Sequence, residues 1–178
     1  MKKKVLGLSF GRKMGNTDVM IKTALMACEK AGCDVKFIHV DDLDIKPCTG
    51  CISCVVGMTT GNGKGGCPIK DDFKILDEAL MACDAVIVGS PTYVLSPTGR
   101  FKTVCDRIGP SHDITFRKAT YEEGKAAGKP AEKLPDERSF KKRVGALVSV
   151  GGAMTKNWLA FMLPTMYEFT MSMGIDVV

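Results

Sequence analysis

Short runs of β-branched and aliphatic residues alternate along this chain with longer stretches of helical periodicity. That alternation constrains the fold more than any other feature. The runs are Val5 to Ser9, Val35 to Val40, Ala85 to Val88, Val144 to Val150 and Ile175 to Val178. Most are continuously apolar rather than alternating, the pattern of strands buried on both faces. Between the first two, Asn16-Thr17 offers an N-cap for a helix through Lys30, with Val19, Ile21, Ala24, Leu25 and Cys28 on its apolar face and Ala31-Gly32 at its end. A helical segment from Asn157 to Met173 precedes the last run, and Pro164 is expected to kink or restart it. Strands joined by helices form right-handed βαβ crossovers, which build a parallel sheet with helices on both faces. The expectation is a single α/β domain over residues 1–178, a doubly wound parallel five-stranded sheet in the order 2-1-3-4-5.

Two insertions break the rhythm. Residues 46–70 carry four cysteines and the glycines Gly57, Gly61, Gly63, Gly65 and Gly66, so a flexible segment is expected after the second strand. Residues 109–143 are charged and contain Pro110, Pro130 and Pro135, and read as a long loop or lid rather than core. The last strand-like run is not followed by the helix that usually packs beside the first one. Either the chain is truncated or a partner subunit covers that face, and a homo-oligomer is expected.

Composition narrows the class. With 45% hydrophobic and 25% charged residues, the chain reads as an ordinary soluble globular domain. A net charge of +5, much of it from Lys2 to Lys4 and the Arg138 to Arg143 stretch, gives little support to nucleic-acid binding. The apolar run after Lys4 is too short for a signal peptide, and no stretch approaches the 18 or so apolar residues that span a membrane. A cytoplasmic protein with no membrane partner is expected.

Cys48, Cys51 and Cys54 form a C-x2-C-x2-C run, and Cys67 follows with Pro68 next to it. Three thiolates so closely spaced suit three corners of an iron–sulfur cube, with a remote Cys-Pro cysteine as the fourth ligand. A tetrahedral zinc usually takes two separated C-x2-C pairs, so this overlapping run suits zinc less well. A thiol cluster without metal is the third reading. Cys28, Cys33, Cys83 and Cys105 fall in helical or strand-edge patterns and read as packing residues.

Ser9-Phe10-Gly11-Arg12-Lys13-Met14-Gly15-Asn16-Thr17 joins the first strand to the first helix. A loop in that place presents free backbone N–H groups and the positive end of the helix dipole. Ser9, Asn16 and Thr17 add short hydrogen-bonding side chains, and Arg12 adds a cation suited to phosphate. The spacing is neither G-x-G-x-x-G nor G-x-x-x-x-G-K-[ST], which disfavours dinucleotide and nucleoside-triphosphate loops and suits a monophosphate such as that of FMN. Gly89-Ser90-Pro91-Thr92-Tyr93-Val94 and Ser149-Val150-Gly151-Gly152-Ala153 should open at the same carboxyl edge of the sheet. Tyr93 is placed to stack on an isoalloxazine ring, with the backbone of Thr92, Gly151 and Gly152 at its polar rim.

On these residues the sequence resembles the NADPH-dependent FMN reductase superfamily, whose phosphate loop S-x-R-K-x-G-N-T is similar to Ser9 to Thr17. With Cys48, Cys51, Cys54 and Cys67 it is similar to the iron–sulfur flavoproteins of that superfamily. The phosphate loop is one residue shorter than the usual pattern. The 12 residues between Cys54 and Cys67 exceed the family's compact spacing, though a loop of that length closes at little extra entropic cost. The resemblance implies a flavodoxin-like fold, one FMN and one [4Fe-4S] cluster per subunit, oligomers and electron transfer. It also implies phosphate contacts at Ser9, Arg12, Asn16 and Thr17, and flavin contacts at Pro91, Thr92, Tyr93, Val94, Gly151, Gly152 and Ala153. The cluster ligands would be Cys48, Cys51, Cys54 and Cys67.

The expected function is an oxidoreductase passing electrons between a one-electron carrier and a two-electron acceptor, with a ferredoxin-like carrier or NAD(P)H as partner. No side chain is assigned as a catalytic acid or nucleophile. Two alternatives stand: an NAD(P)H-dependent FMN or quinone reductase without a cluster, and a non-enzymatic docking module of a redox assembly. His112 reads either as a solvated loop residue or as a proton donor to substrate or reduced flavin. Asp106-Arg107 reads as a local ion pair of little functional weight. The apolar surface around Trp158, Phe161, Met162, Met166, Phe169, Met171 and Met173 reads as core packing or as an oligomer interface.

Overall fold

The computed structural model describes residues 2–60, 66–140, 142–152, 157 and 159–178. The expected alternation is present. The strands are β1 (Lys4–Ser9), β2 (Asp34–His39), β3 (Ala85–Pro91), β4 (Arg143–Val150) and β5 (Ile175–Val177). They form one parallel sheet in the order β2-β1-β3-β4-β5. The helices are α1 (Asn16–Lys30), α2 (Ser53–Thr59), α3 (Phe73–Ala82), α4 (Gly99–His112), α5 (Ile114–Ala126) and α6 (Met162–Ser172). The fold is flavodoxin-like. Among the described residues, no helix is long and apolar enough to cross a membrane.

The two faces of the sheet are covered unequally. On one, Leu6, Leu8, Val86 and Val88 pack against α3, α4 and α6 through Leu76, Leu80, Phe101, Val104, Met162, Met166 and Phe169. Phe101 stacks edge to face there on both Phe10 and Phe169, with ring centroids 5.1 Å apart in each of the two pairs. On the other face, Val5 and Ile87 pack against Ile21 and Leu25 of α1. The side chain that a residue at Gly89 would carry has no room there, since its Cβ would lie 2.6 Å from Ile21 Cδ1 and 2.8 Å from Thr17 Cγ2. This glycine lets α1 sit directly on the carboxyl half of β3. Farther along this face Val144 is half exposed, and Ala146 and Val148 are only partly buried.

Residues 109–143 correct the loop-or-lid expectation. α4 continues through a kink at Gly109 as far as His112. Asp113 then caps α5, its side chain accepting from the backbone N–H of Phe116 at 2.7 Å. Arg117, Thr120 and Gly124 are buried, so α5 is a packed layer. The three prolines stand outside residues 114–126 and leave that stretch free to form a helix. The cysteine insertion also holds more structure than its glycines suggest, since α2 forms within it. Gly61, Gly63, Gly65, Ala153 and Trp158 lie outside the described residues.

α6 begins at Met162, so Pro164 is its third residue, where a missing N–H costs no intrahelical bond. Met162, Met166 and Met173 are buried in the core. Leu163, Tyr167 and Met171, four residues apart, form a half-exposed stripe on the outer side.

Candidate functional site at the carboxyl edge of the sheet

The loop after β1 is held from beneath. Ser9 is fully buried, and its hydroxyl donates to Asp18 Oδ1. The other carboxylate oxygen accepts from the backbone N–H of Met14 at 2.9 Å, which requires the left-handed backbone that Met14 adopts (φ 57°). Asp18 therefore braces the loop from the first turn of α1, while Ser9 faces inward. Thr17 is buried with its side chain against Gly11, and Arg12 and Asn16 are exposed on the outer rim. The N-cap of the helix is Gly15 rather than Asn16 or Thr17, and no side chain caps it. An uncapped N-terminus of a 15-residue helix, next to an exposed arginine, is the environment an anionic phosphate takes up.

The loop after β3 lies against this one. Phe10 N–H donates to the Gly89 carbonyl at 2.9 Å, and a Cβ on Gly11 would sit 3.6 Å from Pro91 Cδ. Thr92 N–H donates to the Val150 carbonyl at 2.8 Å, which ties the β3 exit to that of β4. Tyr93 and Ser96 exchange backbone bonds around a turn in which Val94 (φ 49°) and Leu95 (φ 66°) are both left-handed. That conformation is costly for a β-branched residue and leaves Tyr93 and Val94 exposed. Among the described residues, Thr92 Oγ1 and Ser149 Oγ are buried without a hydrogen-bond partner. Such orphans are rare in native proteins and fit a polar ligand at this edge. Gly151 and Gly152 are exposed beside them. The sequence-predicted residues Arg12, Asn16, Thr17 and Pro91 to Val94 thus meet at one edge.

Two residues here escaped the sequence reading, Asp18 and His39. Asp18 carries one signal, an acid in the first turn of a helix, where the dipole favours it. His39, paired with Ser9 in the β1–β2 register, has Nε2 3.6 Å from Asp18 Oδ1, and among the described residues neither ring nitrogen has a hydrogen-bond partner. Lys13 is drawn away to an ion pair with Asp42.

The cysteine segment sits on α4. Its two ends are joined side by side: Asp44 N–H donates to Asp72 Oδ2, and Lys46 N–H to Asp71 Oδ2, both at 2.9 Å. Arg107 locks this base. Its Nη1 donates to the Lys46 carbonyl (2.7 Å) and Asp71 Oδ2 (2.6 Å), and Nη2 to Asp71 Oδ1 (3.0 Å). The local Asp106–Arg107 pair expected from sequence is absent, since Asp106 pairs with Lys102 one helical turn earlier. Arg107 holds the Asp71 carboxyl down at about 2 through these hydrogen bonds.

Within the segment, Gly50 N–H donates to Cys48 Sγ at 3.4 Å. Burial pushes the Cys54 thiol up, and Cys67 and Cys48 push weakly the same way. Cys51 is exposed, and hydrogen bonds from Ser53 and Thr49 lower its thiol. All four are thiolate-capable donors, with Lys102 acting on Cys48 and Arg107 on Cys67. Among the described residues, no three Cys, His, Asp or Glu side chains are gathered closely enough to hold a metal ion. Cys105 is pushed up to about 12 by burial and Cys83 is also raised, consistent with packing roles.

His112 is neither solvated nor at the carboxyl edge. It is buried at the far end of α4 and paired through Nε2 with Asp77 of α3.

The sequence profile of the NADPH-dependent FMN reductase family matches residues 4–173. The chain belongs to this family. It is 30% identical over 182 residues to a flavone synthase of Aspergillus candidus, which covers 97% of this chain and 53% of that protein. An iron-sulfur flavoprotein of Archaeoglobus fulgidus is 37% identical over 99 residues, covering 56% of this chain and 42% of the relative. Among solved structures, a flavone reductase superposes with a TM-score of 0.78 at 26% identity, over 98% of this chain and 51% of that one. The chain spans about half the length of these relatives.

Proposed function

We propose that this chain is the flavin unit of an FMN-dependent oxidoreductase. The observation that carries the reading is the uncapped start of α1, with Arg12 beside it and the orphaned Thr92 and Ser149 hydroxyls at the same edge. The N-terminus of α1 would hold the phosphate, Asp18 and Ser9 would keep the loop in shape, and Tyr93 to Leu95 would present an apolar wall to the ring. FMN, when bound, supplies exchange between one-electron and two-electron chemistry. The protein's own work is to bind, orient and shield.

The same proposal places a [4Fe-4S] cluster on Cys48, Cys51, Cys54 and Cys67, which would link the flavin to a ferredoxin-like one-electron carrier in the cytoplasm. An all-thiolate donor set with two neighbouring cations and the name of the Archaeoglobus relative support it. A second reading takes NAD(P)H as donor and a flat aromatic acceptor, with no cluster. It is favoured because relatives with near-complete coverage of this chain are a flavone synthase and a flavone reductase. The half-exposed stripe of α6 and the partly bare side of β4 support a homo-oligomer in either case.

The visible spectrum and the iron and acid-labile sulfide content of anaerobically purified protein separate the readings. Flavin bands with broad cluster absorption and four irons per chain support the first. Flavin bands alone support the second, and a colourless protein that binds no FMN contradicts both.

A further inference from the structure

Arg107 sits at the base of the cysteine segment and is almost completely buried. Its guanidinium stacks on the Phe73 ring, 4.5 Å from the centroid, and reaches both ends of the segment at once through the Lys46 carbonyl and the Asp71 carboxylate. Four residues before Asp71 stands Cys67, partly buried against the same core. Among the described residues, Arg107 Nε is buried with no acceptor. A guanidinium with three bonds fixing the base of a loop and one donor to spare, next to a cysteine at that base, is more than a fold contact. Groups that hold a metal ligand in place strongly affect metal retention.

We propose that Arg107 is the positioning residue of the cysteine segment: clasped to Lys46 and Asp71, it closes the segment and fixes the place of Cys67, four residues before Asp71, relative to Cys48, two residues after Lys46, as the fourth thiolate. The inference deepens the cluster reading above and rests on it for the metal, though not for the placement of Cys67. The role belongs to the fork of the guanidinium, which spans two acceptors; a lysine at this position keeps the charge and loses the span.

The test compares wild type with Arg107→Lys, each with FMN bound. In protein purified anaerobically, Arg107→Lys is expected to lose iron to a chelator ~10- to 100-fold faster than wild type. In metal-free protein, Cys67 is expected to react with iodoacetamide at least ~10-fold faster in the variant, read by mass spectrometry of the peptide, because its position is no longer fixed. A merely structural role would change the melting temperature without changing Cys67 relative to Cys48. If Arg107→Lys does not fold, the double variant Arg107→Met with Asp71→Leu, which leaves no unpaired buried charge, takes its place with the same two readouts. Unchanged alkylation and unchanged iron loss overturn the proposal. If wild type holds no iron, the cluster reading fails and the alkylation rate alone decides whether Arg107 positions Cys67.

Discussion

Arg107 and Asp71 form a two-pronged ion pair whose side chains are inaccessible to solvent, with N–O distances of 2.6 and 3.0 Å. It joins the middle of α4 to the far end of the cysteine segment. Closing a loop of roughly 25 residues costs about 3 kcal/mol of chain entropy, and removing either partner of this buried pair would leave the other's charge uncompensated.

The pair makes stability depend on acid. Asp71 titrates at about 2 in the folded chain against 3.8 in the unfolded one. A depressed carboxyl stabilises the fold above the unfolded value, and the contribution disappears as pH falls from about 4 to about 2. Linkage puts it at about 2 kcal/mol. Melting temperatures across that window should fall more steeply for wild type than for Asp71→Asn, which should already be less stable at pH 7 by about 3–5 kcal/mol. Equal slopes would show that Asp71 is not the titrating group.

Gly89 tests how closely α1 must sit on β3. Gly89→Ala would drive a methyl group into Ile21 and Thr17, at a cost of about 1–3 kcal/mol. Because Thr17 belongs to the phosphate loop, FMN affinity should fall along with thermal stability. A variant of wild-type stability would mean that α1 has slack.

Much of the fold was legible in the sequence, because buried parallel strands leave continuous apolar runs and five of them joined by helices suit the doubly wound order. The site was legible where glycines and short polar residues mark loops at strand ends. α5 was not, since charge and flanking prolines hid a proline-free helix whose Arg117 is buried on backbone and other partners. Arg107 was missed because its partner lies 36 residues away, beyond any local pattern. Asp18 was passed over because its acceptor role depends on the turn at Met14, which only the backbone shows.

For the cysteines, Cys67→Ser should reduce iron below four per chain and leave FMN bound, while Cys83→Ser and Cys105→Ser should leave iron unchanged. Burial already sets those two thiols apart as packing residues. Full iron content in Cys67→Ser would move the fourth ligand elsewhere.

Arg12→Ala combined with Thr17→Ala should release FMN from an otherwise folded protein. Each lost charge-assisted bond costs about 1.5–3 kcal/mol. Retained affinity, measured by flavin fluorescence, would remove these residues from the site.

The central claim is that the start of α1 holds the flavin's phosphate, and wild-type protein tests it without a mutation. Titration of the flavin-free protein with FMN and with riboflavin, followed by fluorescence quenching, compares ligands that differ only in that group. Two charge-assisted bonds to the phosphate predict FMN binding at least ~100-fold tighter than riboflavin. Equal affinity for the two would contradict the account.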